Sequence, residues 1–217
     1  MDHAAEAART RETMMNSRMV PRIHLIRHGE TEWSLSGRHT SGTDIPLTER
    51  GERQAHQLGE RLRHIELSQV WTSPLQRARR TCELAGFASV MKVEPAITEW
   101  NYGDYEGLTS AEIRARHPHW NLFQHGCPGG ESPADVSDRV DQILPRLRAA
   151  EGNAAVFSHG HFLRALAARW LALTVREGQR LLLHTASLSI LSGEHDSRDE
   201  PVIVLWNSGP DQSHAKQ

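Results

Sequence analysis

Apolar residues in this chain follow two rhythms: short unbroken runs, and longer stretches where they recur every third or fourth position. The runs at 23–26, Gln69–Thr72, 90–93 and 154–157 are too short for helices and end at turn-forming or polar residues, so they read as buried strands. Between them the helical rhythm takes over. Thr48 can cap a helix whose Ala55, Leu58, Leu62 and Ile65 share one face. A second helix starts near Leu75 and ends near Gly86. Pro133 opens a third, carrying Val136, Val140, Ile143 and Leu147, and Pro145 inside that pattern predicts a kink or an early break. A fourth covers residues 161–171, and residues 187–191 and 202–206 read as a closing pair of strands around a charged turn. Such alternation predicts an α/β fold: a three-layer α/β/α sandwich with a mostly parallel central sheet.

Two stretches fall outside the rhythm. Residues 1–21 are polar and patternless and read as an N-terminal extension, with 22–207 as the domain and 208–217 as a tail. Residues 100–132, rich in Gly, Pro, His and Trp, read as an irregular lid carrying one short helix, Ser110–Arg116.

Composition narrows the class. At 217 residues the chain suits one domain, and 38% hydrophobic with 24% charged residues is ordinary for a globular protein. A formal net charge of −2 argues against a nucleic-acid partner. Cys82 and Cys127 are too few for a disulfide framework. No apolar stretch is long enough to span a bilayer and the first twenty residues lack a secretory core, so a cytoplasmic protein with no membrane partner is expected. Lys92 and Lys216 are the only lysines, which leaves cationic chemistry to arginine, the better bidentate ligand for phosphate.

The chemistry gathers at strand ends. Arg27 and His28 follow the first strand, Arg77 opens the helix after the second, and His159 follows the fourth. In open α/β sheets the ligand crevice lies at the carboxyl ends of strands, so folding would bring these four together, with helix amino ends adding donors for an anion. An arginine beside His28 disfavours the protonated imidazole, which suits a nucleophile and holds an anionic substrate. Two arginines and two histidines around one crevice describe a phosphate pocket. Release of an alkoxide also needs a proton, and Glu99 is the best-placed carboxyl.

The motifs Arg27-His28-Gly29-Glu30-Thr31, Asp44-Ile45-Pro46-Leu47-Thr48 with Gly51, Ser73-Pro74-Leu75-Gln76-Arg77-Ala78 with Thr81, Glu99, Gly103, Glu106-Gly107-Leu108 and His159-Gly160 occur in one order. Together they resemble the histidine phosphatase superfamily, also called phosphoglycerate mutase-like, across roughly residues 22–207. The resemblance implies that His28 becomes a phosphohistidine, that Arg27, Arg77, His159 and Gly160 bind the phosphoryl group, and that Glu99 donates the proton. It implies no cofactor and no metal. Ser34 stands where the mutases have Asn, and Glu99 is followed by Trp100-Asn101-Tyr102 rather than by basic residues. The chain is therefore more similar to the phosphatase branch, with its broad-specificity acid phosphatases and sedoheptulose-1,7-bisphosphatase-like enzymes. On that reading Ser34, Arg38, Thr40, Ser41, Trp100 and Tyr102 line the side facing a small phosphorylated metabolite, either a sugar phosphate or one of a broad range of monoesters. A phosphoglycerate mutase and a phospho-ligand-binding protein without turnover are the competing readings. The oligomeric state stays open, a homodimer included.

Other residues draw blander readings. His159-Gly160-His161 and His117-Pro118-His119 lack the accompanying ligands of a metal site, so His161 is expected at a helix start and His117 and His119 at the surface. Arg164 is expected to tie its helix to the sheet, Cys127 to lack the loop a cysteine nucleophile needs, and the role of His184 is open.

Overall fold

A computed structural model describes residues 20–209. Six strands form one sheet: β1 (Ile23–Arg27), β2 (Gln69–Thr72), β3 (Met91–Val93), β4 (Ala154–Ser158), β5 (Leu188–Gly193) and β6 (Pro201–Ser208). Their spatial order is β3-β2-β4-β1-β5-β6. β3, β2, β4 and β1 run parallel, while β5 and β6 are antiparallel, as the predicted closing pair requires. Residues 1–19, most of the expected N-terminal extension, and 210–217 of the expected tail lie outside the described residues; Val20, Pro21 and Ser208 are buried.

Alternation along the strands splits the core into two. Ile23, Leu25, Ala154 and Val156 face one side, packed with Val136, Val140, Ile143, Phe162 and Leu166. Ile26, Ala155 and Phe157 face the other, packed with Leu58, Leu62, Cys82 and Ala85. Side chains of successive strand residues point to opposite faces, so helices must cover both, which makes the three-layer sandwich.

Among the described residues seven α-helices surround the sheet: α1 (Glu32–Ser36), α2 (Glu49–Leu62), α3 (Gln76–Cys82), α4 (Ser110–Arg116), α5 (Leu122–His125), α6 (Pro133–Arg148) and α7 (Gly160–Trp170). Thr48 caps α2 by accepting from the Gly51 amide at 3.0 Å, and the predicted face is buried except for Ile65, which lies past the helix end. α3 runs on as a π-helical turn, Glu83–Phe87, in which Gly86 adopts φ 96°, close to the expected stop. Ser132 and Asp135 form a capping box around Pro133 at the start of α6. The early break expected at Pro145 does not occur, because α6 continues to Arg148. In the last turn a proline forfeits a single backbone hydrogen bond, too little to end a helix whose face is already packed.

The excursion at 100–132 is a wall of the fold rather than a loose cover. It carries the expected α4 and the unexpected α5. Trp100, Tyr102, Trp120 and Phe123 are all buried in the same core as α6 and α7. Trp100 Nε1 donates to the Glu131 carbonyl at 2.9 Å, and Arg139 grips both Glu131 carboxylate oxygens at 2.8 Å. Among the described residues no helix is long and apolar enough to cross a membrane.

Candidate active site

Arg27 is the last residue of β1 and His28 the next, Ser73 follows β2, and His159 follows β4 and caps α7. All stand at carboxyl strand ends, and the register aligning Arg27 with Ser158 puts His28 beside His159. Their ring centroids are 5.2 Å apart. The loop that carries His28 is fixed by backbone contact, because Gly29 and Gly51 approach so closely that a Cβ on either would overlap the other segment's carbonyl. The Glu30 carboxylate accepts from the Thr48 hydroxyl at 2.9 Å and from Arg50 at 3.1 Å, tying the same loop to α2.

Hydrogen-bond partners assign the imidazole nitrogens. His28 Nδ1 is 2.7 Å from the Gly29 carbonyl, which can only accept, so Nδ1 holds the proton and Nε2 presents a lone pair. Ser73 Oγ accepts from the Leu75 amide at 3.3 Å and lies 2.7 Å from His159 Nε2. Its hydroxyl proton is therefore free to donate to Nε2, which leaves His159 Nδ1 as an N–H. Burial holds His28 well below the ordinary histidine pKa, with Arg77 and Arg27 adding to the effect. Burial likewise holds His159 low, followed by Arg77, His28 and Arg27. Both rings are neutral.

Among the described residues, five buried side-chain nitrogens lack a partner, and three belong here: Arg27 Nε, Arg77 Nε and His159 Nδ1. Leaving such donors unpaired is costly, so a cluster of them on one site marks a place for an acceptor-rich anion. The other nitrogens of Arg77 are spent on structure, donating to the carbonyls of Thr40 at 3.0 Å and of Ser41 and Thr43 at 3.3 Å. Arg27 donates to the Leu183 carbonyl at 2.6 Å, and a Cβ at position 160 would press on its guanidinium, which accounts for Gly160.

Glu99 is 7% exposed and rigidly held. Its Oε1 accepts from the amides of Trp100 and Phe162 at 2.9 Å, and its Oε2 from the His161 amide at 3.1 Å. Two amides at the start of α7, expected to face the substrate, thus hold the acid instead. That is a correction to the sequence expectation, and it fixes where the carboxyl points.

A cavity of about 290 Å³ adjoins this cluster. Arg27, His28, Ser34, Arg38, Thr40, Glu99, Tyr102 and Gly160 line it, as expected. Two expected lining residues do not. Trp100 is fully buried in the core. Ser41 is clamped by Glu106, whose carboxylate accepts from its hydroxyl at 2.7 Å and from its amide at 2.9 Å. Arg77 and His159 are fully buried behind the wall. Arg38 is braced on the Gly107 carbonyl at 2.6 Å, while Ser34 spends its hydroxyl on the Thr31 carbonyl at 2.9 Å.

The cavity also gathers His39, Ser110 and Leu183, which sequence reasoning passed over, and His161, Arg164 and His184, for which it gave structural or open roles. His161 is one step into α7, where a helix start turns its side chain back toward the strand ends, and that position was the available signal. His39 had none, because a pairing between Arg38 and Thr109 decides its placement. Arg164 donates to the carbonyls of Gly178 and Gln179, tying α7 to the 3₁₀ segment Val175–Arg180 rather than to the sheet. A larger cleft, about 650 Å³, runs past His117, Trp120 and Cys127 but contains none of these groups. Burial pushes the Cys127 thiol up to about 12, so it is no nucleophile. Among the described residues no group of three or more His, Cys, Asp or Glu is arranged to hold a metal.

Comparison with known proteins finds a family and relatives that span most of the chain. The family model described as histidine phosphatase superfamily (branch 1) matches residues 23–209. An acid phosphatase of Mycobacterium tuberculosis is 44% identical over 85% of this chain and 92% of its own length. A sedoheptulose 1,7-bisphosphatase of Saccharomyces cerevisiae is 31% identical over 88% of this chain and 94% of its own. The solved structure of the M. tuberculosis open reading frame Rv3214 superposes with a TM-score of 0.83 at 41% identity, covering 88% of this chain and 98% of that one.

Proposed function

The chain belongs to the histidine phosphatase superfamily, and from that premise we propose that it hydrolyses small phosphomonoesters through a phosphohistidine on His28, with sugar phosphates as the substrate class. The observation that carries this reading is the trio of unpartnered buried donors, Arg27 Nε, Arg77 Nε and His159 Nδ1, gathered around a neutral imidazole with a free Nε2 lone pair.

The phosphoryl group sits among those donors, and its leaving-group oxygen faces Glu99. His28 Nε2 attacks phosphorus in line, forming the P–N bond as the P–O bond breaks. Glu99 gives its proton to the departing alkoxide, while the arginines and His159 stabilise charge on the equatorial oxygens. Water then attacks the phosphohistidine and passes a proton to Glu99. The P–N bond breaks, and inorganic phosphate leaves. Two arginines and donor N–H groups supply the positive field, so the mechanism calls on no metal.

The acid phosphatase at 44% identity and the sedoheptulose 1,7-bisphosphatase favour a phosphatase, although relatives named probable phosphoglycerate mutases also match at 31–35% identity. Trp100-Asn101-Tyr102 adds no cation beside Glu99 to receive a phosphoglycerate carboxylate. The test is phosphate release from a sugar-phosphate panel in EDTA, by wild type and His28→Ala side by side. Release by wild type alone supports the reading. Equal release by both overturns it, and phosphate binding without release points to the binding-only alternative.

A further inference from the structure

His161 is absorbed by none of these steps, yet it lines the cavity beside Glu99, with its ring 24% exposed. Its Nδ1 lies 2.6 Å from the phenol oxygen of Tyr102. Two proton arrangements fit that distance. If Nδ1–H donated to the phenol oxygen, the Tyr102 O–H would need another acceptor. Tyr102 is 1% exposed, and among the described residues its oxygen has no other partner. A buried O–H without an acceptor costs the full desolvation of that group. If the phenol donates to Nδ1, every buried group is paired and the imidazole proton sits on Nε2. That Nε2 has no partner among the described residues.

Glu99 Oε2 lies 4.0 Å from the other ring nitrogen, Nδ1, and the aromatic neighbours of His161 are neutral. The His39 ring is 5.8 Å from that of His161 and 4.7 Å from that of Tyr102, and its Nε2 meets the Ser110 hydroxyl at 3.2 Å. Burial lowers His39 to about 4, so at neutral pH it is a neutral donor and acceptor. The cations that line the cavity are engaged: Arg164 by the carbonyls of Gly178 and Gln179, Arg38 by that of Gly107, and Arg27 by that of Leu183 and by the phosphoryl site. Neutral hydrogen-bonding groups next to a carboxylate match hydroxyls better than a second anion.

We infer that His161, held in its Nε2–H form by Tyr102, donates to a hydroxyl of the leaving group and so selects polyhydroxylated phosphate esters over simple aryl ones. His161 is thus a substrate-binding residue and Tyr102 a positioning residue. The inference rests on the phosphatase reading for its substrate, but its tautomer can be measured without turnover.

Nitrogen-15 NMR of histidine-labelled wild type at neutral pH reads the tautomer directly. The Nε2–H form is expected for His161, giving way to a mixture in Tyr102→Phe; an Nδ1–H form in wild type overturns the inference. In parallel, kcat/KM is measured on ribose 5-phosphate and on p-nitrophenyl phosphate for wild type, His161→Phe, His161→Gln and Tyr102→Phe. Loss of one neutral hydrogen bond predicts about a tenfold fall in the ratio of the two in His161→Phe, mainly through KM for the sugar phosphate. Glutamine, which keeps an N–H donor, should recover part of it. An unmoved ratio overturns the selectivity. Should wild type turn over neither ester, the phosphatase reading falls, and calorimetric binding of ribose 5-phosphate to wild type and His161→Phe decides the hydroxyl contact, with equal affinity counting against it.

Discussion

The imidazoles of His28 and His159 lie 5.2 Å apart with their planes tilted by 59°, each buried and each neutral, though two arginines flank them. That pairing separates the roles. His28 turns a lone pair toward the site, and His159 turns an N–H. Four consequences can be measured.

Because burial and the cations Arg77 and Arg27 hold His28 well below 6.5, it remains a competent nucleophile as the pH falls through the usual histidine range. The kcat/KM profile should show no acid limb with its midpoint near 6.5. Such a limb, abolished in no other histidine variant, would contradict the assignment of His28.

Glu99→Gln can keep its oxygen toward the amides of Trp100 and Phe162, at the loss of the bond from the His161 amide, and has no acidic proton to give. Hydrolysis of alkyl phosphates should fall by about 100-fold or more, the usual share of general acid catalysis. p-Nitrophenyl phosphate, whose leaving group departs without help, should lose far less. Comparing the two esters across the variant and wild type checks this, and equal losses would remove Glu99 from the acid role.

Stability should decline in acid. His39, His28, His159 and His161 all have folded-state pKa values below 6.5, so the unfolded chain binds more protons between those values and 6.5. Stability is then greatest above about 6.5 and is lost as the pH falls toward each folded value. For His39, lowered to about 4, the window runs from 6.5 down to that value and carries up to about 3 kcal/mol. Urea unfolding of wild type and His39→Gln at several pH values should show a shallower slope in the variant.

Gly51→Ala should harm both stability and catalysis, although the residue is remote from substrate. Its new Cβ would overlap the Glu30 carbonyl and displace the loop that carries His28. Overpacking against backbone costs about 1–3 kcal/mol. A lowered Tm together with a reduced kcat is expected. An unchanged kcat at full folding would show that the loop is not held by this contact.

Some of the architecture was legible because its signals are local. Thr48 caps α2, Pro133 opens α6, and the bounds of β2 and α4 coincide with those read from pattern alone. Pro145 misled because a sequence shows a helix breaker without showing how near the helix end it falls or what packing opposes it. Trp100 and Ser41 misled for a related reason. Adjacency to Glu99 and Thr40 placed them near the site, but the direction of a side chain depends on core contacts and on Glu106, far along the chain.

The convergence of Arg27, His28, Arg77 and His159 could be derived from sequence because each follows a strand or opens a helix, and carboxyl strand ends converge in any parallel sheet. Which of the 14 histidines would face the cavity could not. His39 reaches it through the pairing of Arg38 with Thr109, and His161 meets the phenol of Tyr102, 59 positions earlier in the chain. Local pattern governs where the chain turns and what chemistry stands at each turn. The grouping of His39, Tyr102 and His161 arises only when distant segments pack, since a hydrogen bond between two side chains exists only once the fold has brought them together.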